Sequence, residues 1–143
     1  MAEKKSQAND LIGMLEGVFK QAPHLPKNIQ EVLVKIAPIL ALVFGILGII
    51  VGLGAIGISP VAILGGVEAS FMVMASGVLA IVSSILMLMA YPKLTKHAYA
   101  GWTLLFWSEA ISAVSAVLSL SVGGVLGIII GFYLLFEIKG QYK

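Results

Sequence analysis

The sequence predicts an all-α fold: an integral membrane four-helix bundle of two transmembrane hairpins, preceded by a short amphipathic helix. Three observations predict this fold, namely an apolar composition, apolar stretches of membrane-spanning length and the placement of the lysines. Of 143 residues, 59% are hydrophobic and 11% are charged, and the mean hydropathy is +1.05. A soluble domain carries roughly 25% charged residues, and a soluble core of this size would leave too much apolar surface in water. Lipid is the solvent that removes this difficulty.

The composition and the motif content exclude several classes of function. The net charge of +2 makes nucleic acid a poor partner, and the lysines are better suited to orientation and to anionic lipid headgroups. Without cysteine the chain has no disulfide, thiolate zinc site or thiol nucleophile. GxSxG, HExxH and phosphate-binding glycine loops are absent, and His24 and His97 lack metal-ligand spacing. We therefore expect no enzyme activity, no metal and no cofactor, with both histidines solvated or interfacial.

Residues 1–35 are predicted to form a cytoplasmic segment that contains amphipathic helices. Asn9 or Asp10 is a candidate cap for a first helix that runs to about residue 20. Its apolar side chains recur at helical spacing and are Leu11, Leu15, Val18 and Phe19. Two prolines break this helix, and Pro26 suits the first turn of a second one. The segment is either a membrane-surface helix or docking surface, or it simply rests on lipid or beneath the bundle. The simpler interpretation is favoured because the apolar face is modest.

Four apolar stretches follow, separated by turn-forming residues. Residues 36–67 carry no charged side chain, and this run is too long for one span of about 20 residues and too short for two. We place its break at residues 57–60 (Gly-Ile-Ser-Pro), with Pro38 tolerated in the opening turn of the first span. A short turn at residues 60–66 then leads into the second span. The predicted spans are about 36–58, 67–90, 100–120 and 122–137, with a cytoplasmic tail at 139–143.

The lysines indicate how these spans are oriented, because positive residues near span ends are retained in the cytoplasm. In the four-span topology every lysine falls on that side: Lys4, Lys5, Lys20, Lys27 and Lys35 before the first span, Lys93 and Lys96 in the middle, and Lys139 and Lys143 at the end. A three-span topology would need one helix of about 55 Å and would place the last lysines outside. We therefore expect a multi-pass protein of the plasma (inner) membrane with both termini in the cytoplasm.

Small residues recur on one face of the predicted spans, where they let helices approach closely in lipid. The candidate packing residues are Gly45, Gly48 and Gly52 in the first span, Ser108, Ser112 and Ser115 in the third, continued by Ser119, and Gly123, Gly127 and Gly131 in the fourth. GxxxG is a common pattern of low specificity. It leaves two interpretations open, packing within one bundle and self-association through the fourth span. The serines bond their own helix carbonyls readily, so they require no pore.

Glu109 and Glu68 are acidic residues within the apolar stretches, and ionisable groups at such positions are candidate functional sites. Glu109 lies roughly 12–14 Å into the third span, where no lysine or histidine is available to pair with it. We expect it to be protonated much of the time. Its functional interpretation is a proton carrier or a cation-binding carboxylate. The favoured interpretation is a structural hydrogen bond to a serine of the second span, since antiparallel register places Glu109 between Ser76 and Ser83. Glu68 is expected in the first turn of the second span, where free amides favour a carboxylate.

Two functions are compatible with these features. The first is a structural or interaction protein, either self-associating or a subunit of a membrane complex, whose partners are the lipid bilayer and itself or another membrane subunit. The second is a small proton- or cation-coupled transporter or channel subunit that uses Glu109 as its coupling carboxylate. The structural function ranks first, because architecture alone does not define an activity.

Two resemblances accompany these functions. The size and the four spans resemble those of small multidrug-resistance transporters, whose key glutamate lies in the first span, whereas the first span here has no acid. Residues 25–42 (LPKNIQEVLVKIAPILAL) resemble the entry to the first span in some uncharacterised small multi-pass bacterial membrane proteins. This second resemblance implies a membrane protein and supplies no activity.

Overall fold

The computed structural model describes residues 2–118 and 121–142, and throughout them the fold is all-α, as the sequence predicts. The helices in chain order are α1 Ala2–Phe19, α2 Lys27–Ala62, α3 Val67–Leu94, α4 Tyr99–Leu118 and α5 Val122–Ile138, with 3-10 turns at Ile63–Gly65 and Lys139–Gln141. The helical segments long and apolar enough to cross a membrane are Lys27–Gly65, Val67–Leu94, Tyr99–Leu118 and Val122–Gln141. The predicted fold class is therefore confirmed.

α1 begins earlier than predicted, and only part of its predicted apolar stripe contacts the bundle. Residues 2–8 are mostly good helix formers and extend the helix to the N-terminal side, so Asn9 and Asp10 lie in its interior and cap nothing. The side chains that pack on the bundle are Ile12, Leu15 and Phe19. Leu11 and Val18 of the predicted stripe are exposed. The packed face of the helix thus shares Leu15 and Phe19 with the predicted stripe and is rotated from it toward Ile12.

α2 is one continuous helix that passes through both of its prolines. It does not break at residues 57–60, because the Ser59 hydroxyl donates to the Ile56 carbonyl at 2.9 Å. That carbonyl is the acceptor which the missing amide of Pro60 leaves free. The predicted second amphipathic helix and the first span are fused, so Pro38 lies in the interior of α2 and not in an opening turn.

Gly66 makes the turn between α2 and α3. Its φ of 109° lies in a region that glycine adopts freely and that strains residues with a side chain. In the first turn of α3 the Ser70 hydroxyl donates to the Ser59 carbonyl at 2.7 Å, which joins the two helices at this end. The turn expected at residues 60–66 therefore exists, but it begins only at Ile63.

The remaining helix ends also differ from the predicted spans by a few residues. α3 runs past the predicted end near residue 90 and carries Pro92 inside its last turn. The predicted end of the third span at residues 119–120, including Ser119 of the serine row, lies outside the described residues. α5 begins directly after Ser121, whose hydroxyl oxygen accepts from the Gly124 amide at 3.1 Å. This is an ordinary N-cap, which satisfies one of the free amides at the start of a helix.

The helices α2 to α5 pack antiparallel in chain order, each against the next, whereas α2 and α5 contact each other over a much smaller surface. The core is concentrated at the end where α3 leads into α4, around the fully buried Leu94, Trp102 and Phe106. α1 covers this end, with Ile12 buried in the same core. The incomplete contact between α2 and α5 leaves a cleft that positions the candidate site.

Candidate functional site

The glycine row of the first predicted span lies against α3. A Cβ built on Gly45 would come within 2.8 Å of the Leu88 side chain, and one on Gly52 within 2.8 Å of the Gly77 carbonyl oxygen. A Cβ on Gly48 would overlap a serine hydroxyl of α3. Bare glycine backbone therefore lets α2 and α3 approach closely, which is how helices associate in lipid. This row is occupied within the chain.

The serine row of the third predicted span joins α4 to α3. The Ser83 hydroxyl lies 2.8 Å from Ser108 Oγ and 2.7 Å from Ser112 Oγ, and the Ser108 hydroxyl donates to the Ser83 carbonyl at 2.9 Å. Farther along, the Ser115 hydroxyl donates to the Ser76 carbonyl at 3.4 Å. These interhelical bonds are a second means of holding helices together in lipid. The row faces a neighbouring helix and is not part of the cleft.

The Glu109 side chain points away from α3, because Glu109 follows Ser108 and is therefore rotated by about 100° around the axis of α4. Its carboxyl packs on Gly131 of α5, where an added Cβ would lie 2.8 Å from the carboxyl carbon. The predicted hydrogen bond to a serine of the second span is not formed, since Ser83 is engaged by the serines of α4. Glycine at position 131 is thus what makes room for the carboxyl between α4 and α5.

The cleft beside Glu109 has a volume of about 170 Å³. Apart from the carboxyl, its lining side chains are apolar. α2 contributes Leu33, Ala37, Leu40 and Phe44, and α5 contributes Leu134 and Ile138. Over residues 2–118 and 121–142, no hydrogen-bond donor or cation contacts the Glu109 carboxyl. The site therefore combines a carboxyl that has no hydrogen-bond or charge partner among the described residues with a lining of hydrocarbon side chains.

Glu68 is not brought near Glu109. It lies exposed in the first turn of α3, at the Gly66 end of the molecule. Among the described residues there is no cluster of three His, Asp or Glu side chains that could hold a metal ion. Hard cations such as Ca²⁺ take six to eight oxygen ligands, and the cleft supplies one carboxylate among apolar side chains. The arrangement suits a proton or a single organic cation better than a bare metal ion.

The rest of the α5 glycine row lies on the outside of the bundle. No described atom lies within 4 Å of a Cβ built on Gly123 or Gly127, and both glycines are exposed. Their apolar neighbours Leu126 and Ile130 are exposed as well. The α5 glycine row therefore has two parts. Gly131 packs against Glu109 of α4, and Gly123 and Gly127 form an exposed surface, the outer glycine face.

A second polar site, which the sequence did not reveal, joins the α1–α2 connection to the end of α5. Glu137, with only 4% of its side chain exposed, accepts from the Leu25 amide at 2.8 Å and from Gln30 Nε2 at 3.1 Å. Its other oxygen lies 2.8 Å from Nδ1 of His24, which is 66% exposed. The sequence places Glu137 at a span end and His24 in solvent, and these positions are far apart along the chain. The prolines on either side of His24-Leu25 are the one local signal of a rigid turn there.

Further contacts close the same end of the molecule. Lys139 Nζ donates to Glu16 Oε2 at 2.6 Å and lies 5.5 Å from the centroid of the Trp102 ring, within the range of a cation–π contact. The hydrogen bond from Lys139 is the main cause that lowers the pKa of Glu16 below its ordinary value, with burial acting in the opposite direction. The Tyr133 hydroxyl donates to the Pro23 carbonyl. α1 and the connection after it are therefore fastened to α5 by several polar contacts.

These features define a class: an all-α protein with four helices long and apolar enough to cross a membrane, held together by glycine and serine contacts, with one carboxyl facing an apolar cleft. Comparison with family models, with curated proteins and with solved structures gave no match. The resemblance of residues 25–42 to the entry segment of other small membrane proteins remains a prediction.

Proposed function

We propose that this chain is a small integral membrane protein with a structural or interaction role, and that it self-associates through the outer glycine face of α5. The observation that carries the proposal is the open space at Gly123 and Gly127. The comparable glycine row of α2 packs against α3, and the Glu109 carboxyl packs against Gly131. The outer glycine face is thus a GxxxG surface without a partner inside the described chain.

A second copy is the partner that fits this face best. Lipid gives no hydrophobic driving force between helices, so association relies on close backbone approach at small residues. An α5–α5 contact uses the same surface on both subunits, which is the self-complementary geometry of a two-fold dimer. The proposal includes a location in the plasma (inner) membrane, with both termini and the lysine-rich end of the bundle on the cytoplasmic side. Reporter fusions after residues 94 and 143 should then report cytoplasm, and a fusion after residue 65 should report the outside.

The test is Gly127→Leu, compared with Gly54→Leu. Both glycines are exposed with no described atom near an added Cβ, and leucine has a higher helix propensity than glycine, so neither change threatens the fold. We expect Gly127→Leu to abolish the oligomer measured by light scattering in detergent and by photobleaching in liposomes, with Gly54→Leu unchanged. A monomeric wild-type protein, or equal loss in both variants, would refute an interface on α5.

A second candidate function, proton movement by Glu109, is favoured by one specific observation. The carboxyl faces a cleft and has no hydrogen-bond donor or cation in contact within the described chain. A carboxyl with no structural bond to maintain is free to exchange a proton. Transport coupled to a metal cation is less well supported, because the cleft supplies a single carboxylate and no other oxygen ligand from its lining side chains.

Glu109→Gln tests this second candidate, since it keeps the shape of the side chain and removes the exchangeable proton. Purified protein would be reconstituted into liposomes that contain a pH-sensitive dye and subjected to a proton gradient. Glu68→Gln is the matched control, because it changes a carboxyl in the same apolar chain at an exposed position away from the cleft. Proton flux that is lost only in Glu109→Gln supports the candidate. Flux that persists in Glu109→Gln, or that is absent from wild type, contradicts it.

A further inference from the structure

We propose that the cleft between α2 and α5 binds a small lipophilic ammonium: a primary amine carrying one hydrocarbon group about the size of a benzene ring. The ammonium would pair with Glu109 and the hydrocarbon would fill the apolar part of the cleft. This site goes beyond self-association and does not require that protons or ions cross the membrane.

The size of the cleft sets the size of the hydrocarbon group. Its volume is about 170 Å³, and an apolar cavity of about 150 Å³ accommodates benzene. Leu40 and Phe44 on α2 and Leu134 and Ile138 on α5 are among the apolar side chains that line this space. A six-carbon ring matches its volume, whereas a drug-sized ligand needs a pocket of about 300 Å³ or more.

The charge of the ligand is set by Glu109. The carboxyl sits over Gly131, which presents no side chain to cover it, and in the described chain no donor or cation contacts it. A primary ammonium offers three donors and one positive charge. The ionised form of the carboxyl would repel an anionic ligand, and a neutral hydrocarbon would leave the carboxyl buried without a hydrogen-bond partner, which costs free energy. An amine with a small hydrocarbon group satisfies both halves of the site.

The experiment compares benzylammonium with benzyl alcohol, which has a similar shape and no charge. Binding to the full chain in nanodiscs of zwitterionic lipid would be measured by calorimetry and by ligand-observed NMR, against empty nanodiscs. Charge-assisted hydrogen bonds favour the ammonium, so we expect benzylammonium to bind roughly tenfold to a hundredfold more tightly than the alcohol. Glu109→Gln should remove that preference, and Glu68→Gln should retain it.

A second variant tests the apolar half of the site. Leu40 is 41% exposed at the edge of the cleft, so Leu40→Trp fills the space without entering the core, and it should weaken both ligands. Gly127→Leu should bind as wild type does, which separates failure of this site from failure of the proposed dimer. Equal affinity for ammonium and alcohol, an undiminished preference in Glu109→Gln, or binding indistinguishable from empty nanodiscs would each overturn the proposal.

Discussion

Replacing Glu137 by glutamine should release the N-terminal segment from the bundle without unfolding the membrane helices. Glu137 accepts hydrogen bonds from Leu25 and Gln30 on one oxygen and pairs with His24 on the other. Glutamine keeps one acceptor oxygen, for Leu25 and Gln30, and replaces the other by an NH₂ donor, which can bond His24 Nδ1 only when that nitrogen is unprotonated. It also removes the negative charge that strengthens each bond.

The size of the effect can be worked out from these contacts. A hydrogen bond to a charged group contributes about 1.5–3 kcal/mol, and the variant retains part of this set. We therefore expect the free energy of opening the segment to fall by about 2 kcal/mol. Since about 1.4 kcal/mol corresponds to a factor of ten, the Leu25 amide should exchange with solvent roughly 30-fold faster. The amides in the middle of α3 and α4 should be unaffected, because that region opens separately.

Hydrogen–deuterium exchange in nanodiscs measures this directly, with Glu31→Gln as the control. Glu31 is an exposed acid in the first turns of α2, so its replacement changes the charge equally and removes no contact to α5. If exchange at Leu25 changed by less than about threefold, which is well under the factor expected from a lost charged bond, the Glu137 contacts would not fasten the segment. Acceleration throughout α3 and α4 would instead mean that the segment and the bundle unfold together.

Three further predictions concern the helix contacts and the pH dependence. Gly52→Ala should lower the free energy of unfolding by about 1–3 kcal/mol, because the added methyl group overpacks against α3. Denaturant titration in mixed micelles measures this. The control Gly54→Ala should leave the stability unchanged, because its methyl group meets open space. Ser83→Ala should cost roughly 1–2 kcal/mol, because its hydroxyl bonds to α4 within the membrane; an unchanged stability would show that these bonds contribute nothing. Because Lys139 lowers the folded-state pKa of Glu16, this pair stabilises the attachment of α1 above the ordinary glutamate pKa of about 4.3. The stabilisation is lost as the pH falls through the lower folded value, so protection of α1 should drop in acid. Glu16→Gln should make that drop smaller, and the Glu137 contacts account for what remains.

The course of the chain was predictable where one residue decides the local geometry. Gly66 is an example, because only glycine adopts its φ without strain, and an adjacent glycine pair is visible in the sequence. The break at residues 57–60 was mispredicted for an equally local reason. Proline normally ends a helix, but the Ser59 hydroxyl bonds the carbonyl that Pro60 leaves free, and the pattern of the sequence gave no sign of that compensation.

The surroundings of Glu109 could be predicted only in part. Its isolation in an apolar helix is visible in the sequence, but the neighbour depends on how far α4 is rotated about its axis. Antiparallel register alone pointed to the serines of α3, and the helix instead turns Ser108 toward them and Glu109 toward Gly131. The pairing of His24 with Glu137 was beyond reach, because it joins residues 113 positions apart and neither residue type specifies such a partner.

The unequal lengths of α2 and α5 have a consequence for the surrounding bilayer. The apolar part of α2, residues 36–62, is about 40 Å long, whereas α5 with its 17 residues is about 26 Å long. The hydrocarbon layer is about 30 Å thick. Beside α2 the layer must thicken, or α2 must tilt, and beside α5 the layer must become thinner. Each adjustment costs fractions of a kcal/mol per Å of mismatch. Two copies that met through α5 would bury their thinned flanks against each other. The membrane itself would then favour the dimer, and lengthening the lipid acyl chains should strengthen it.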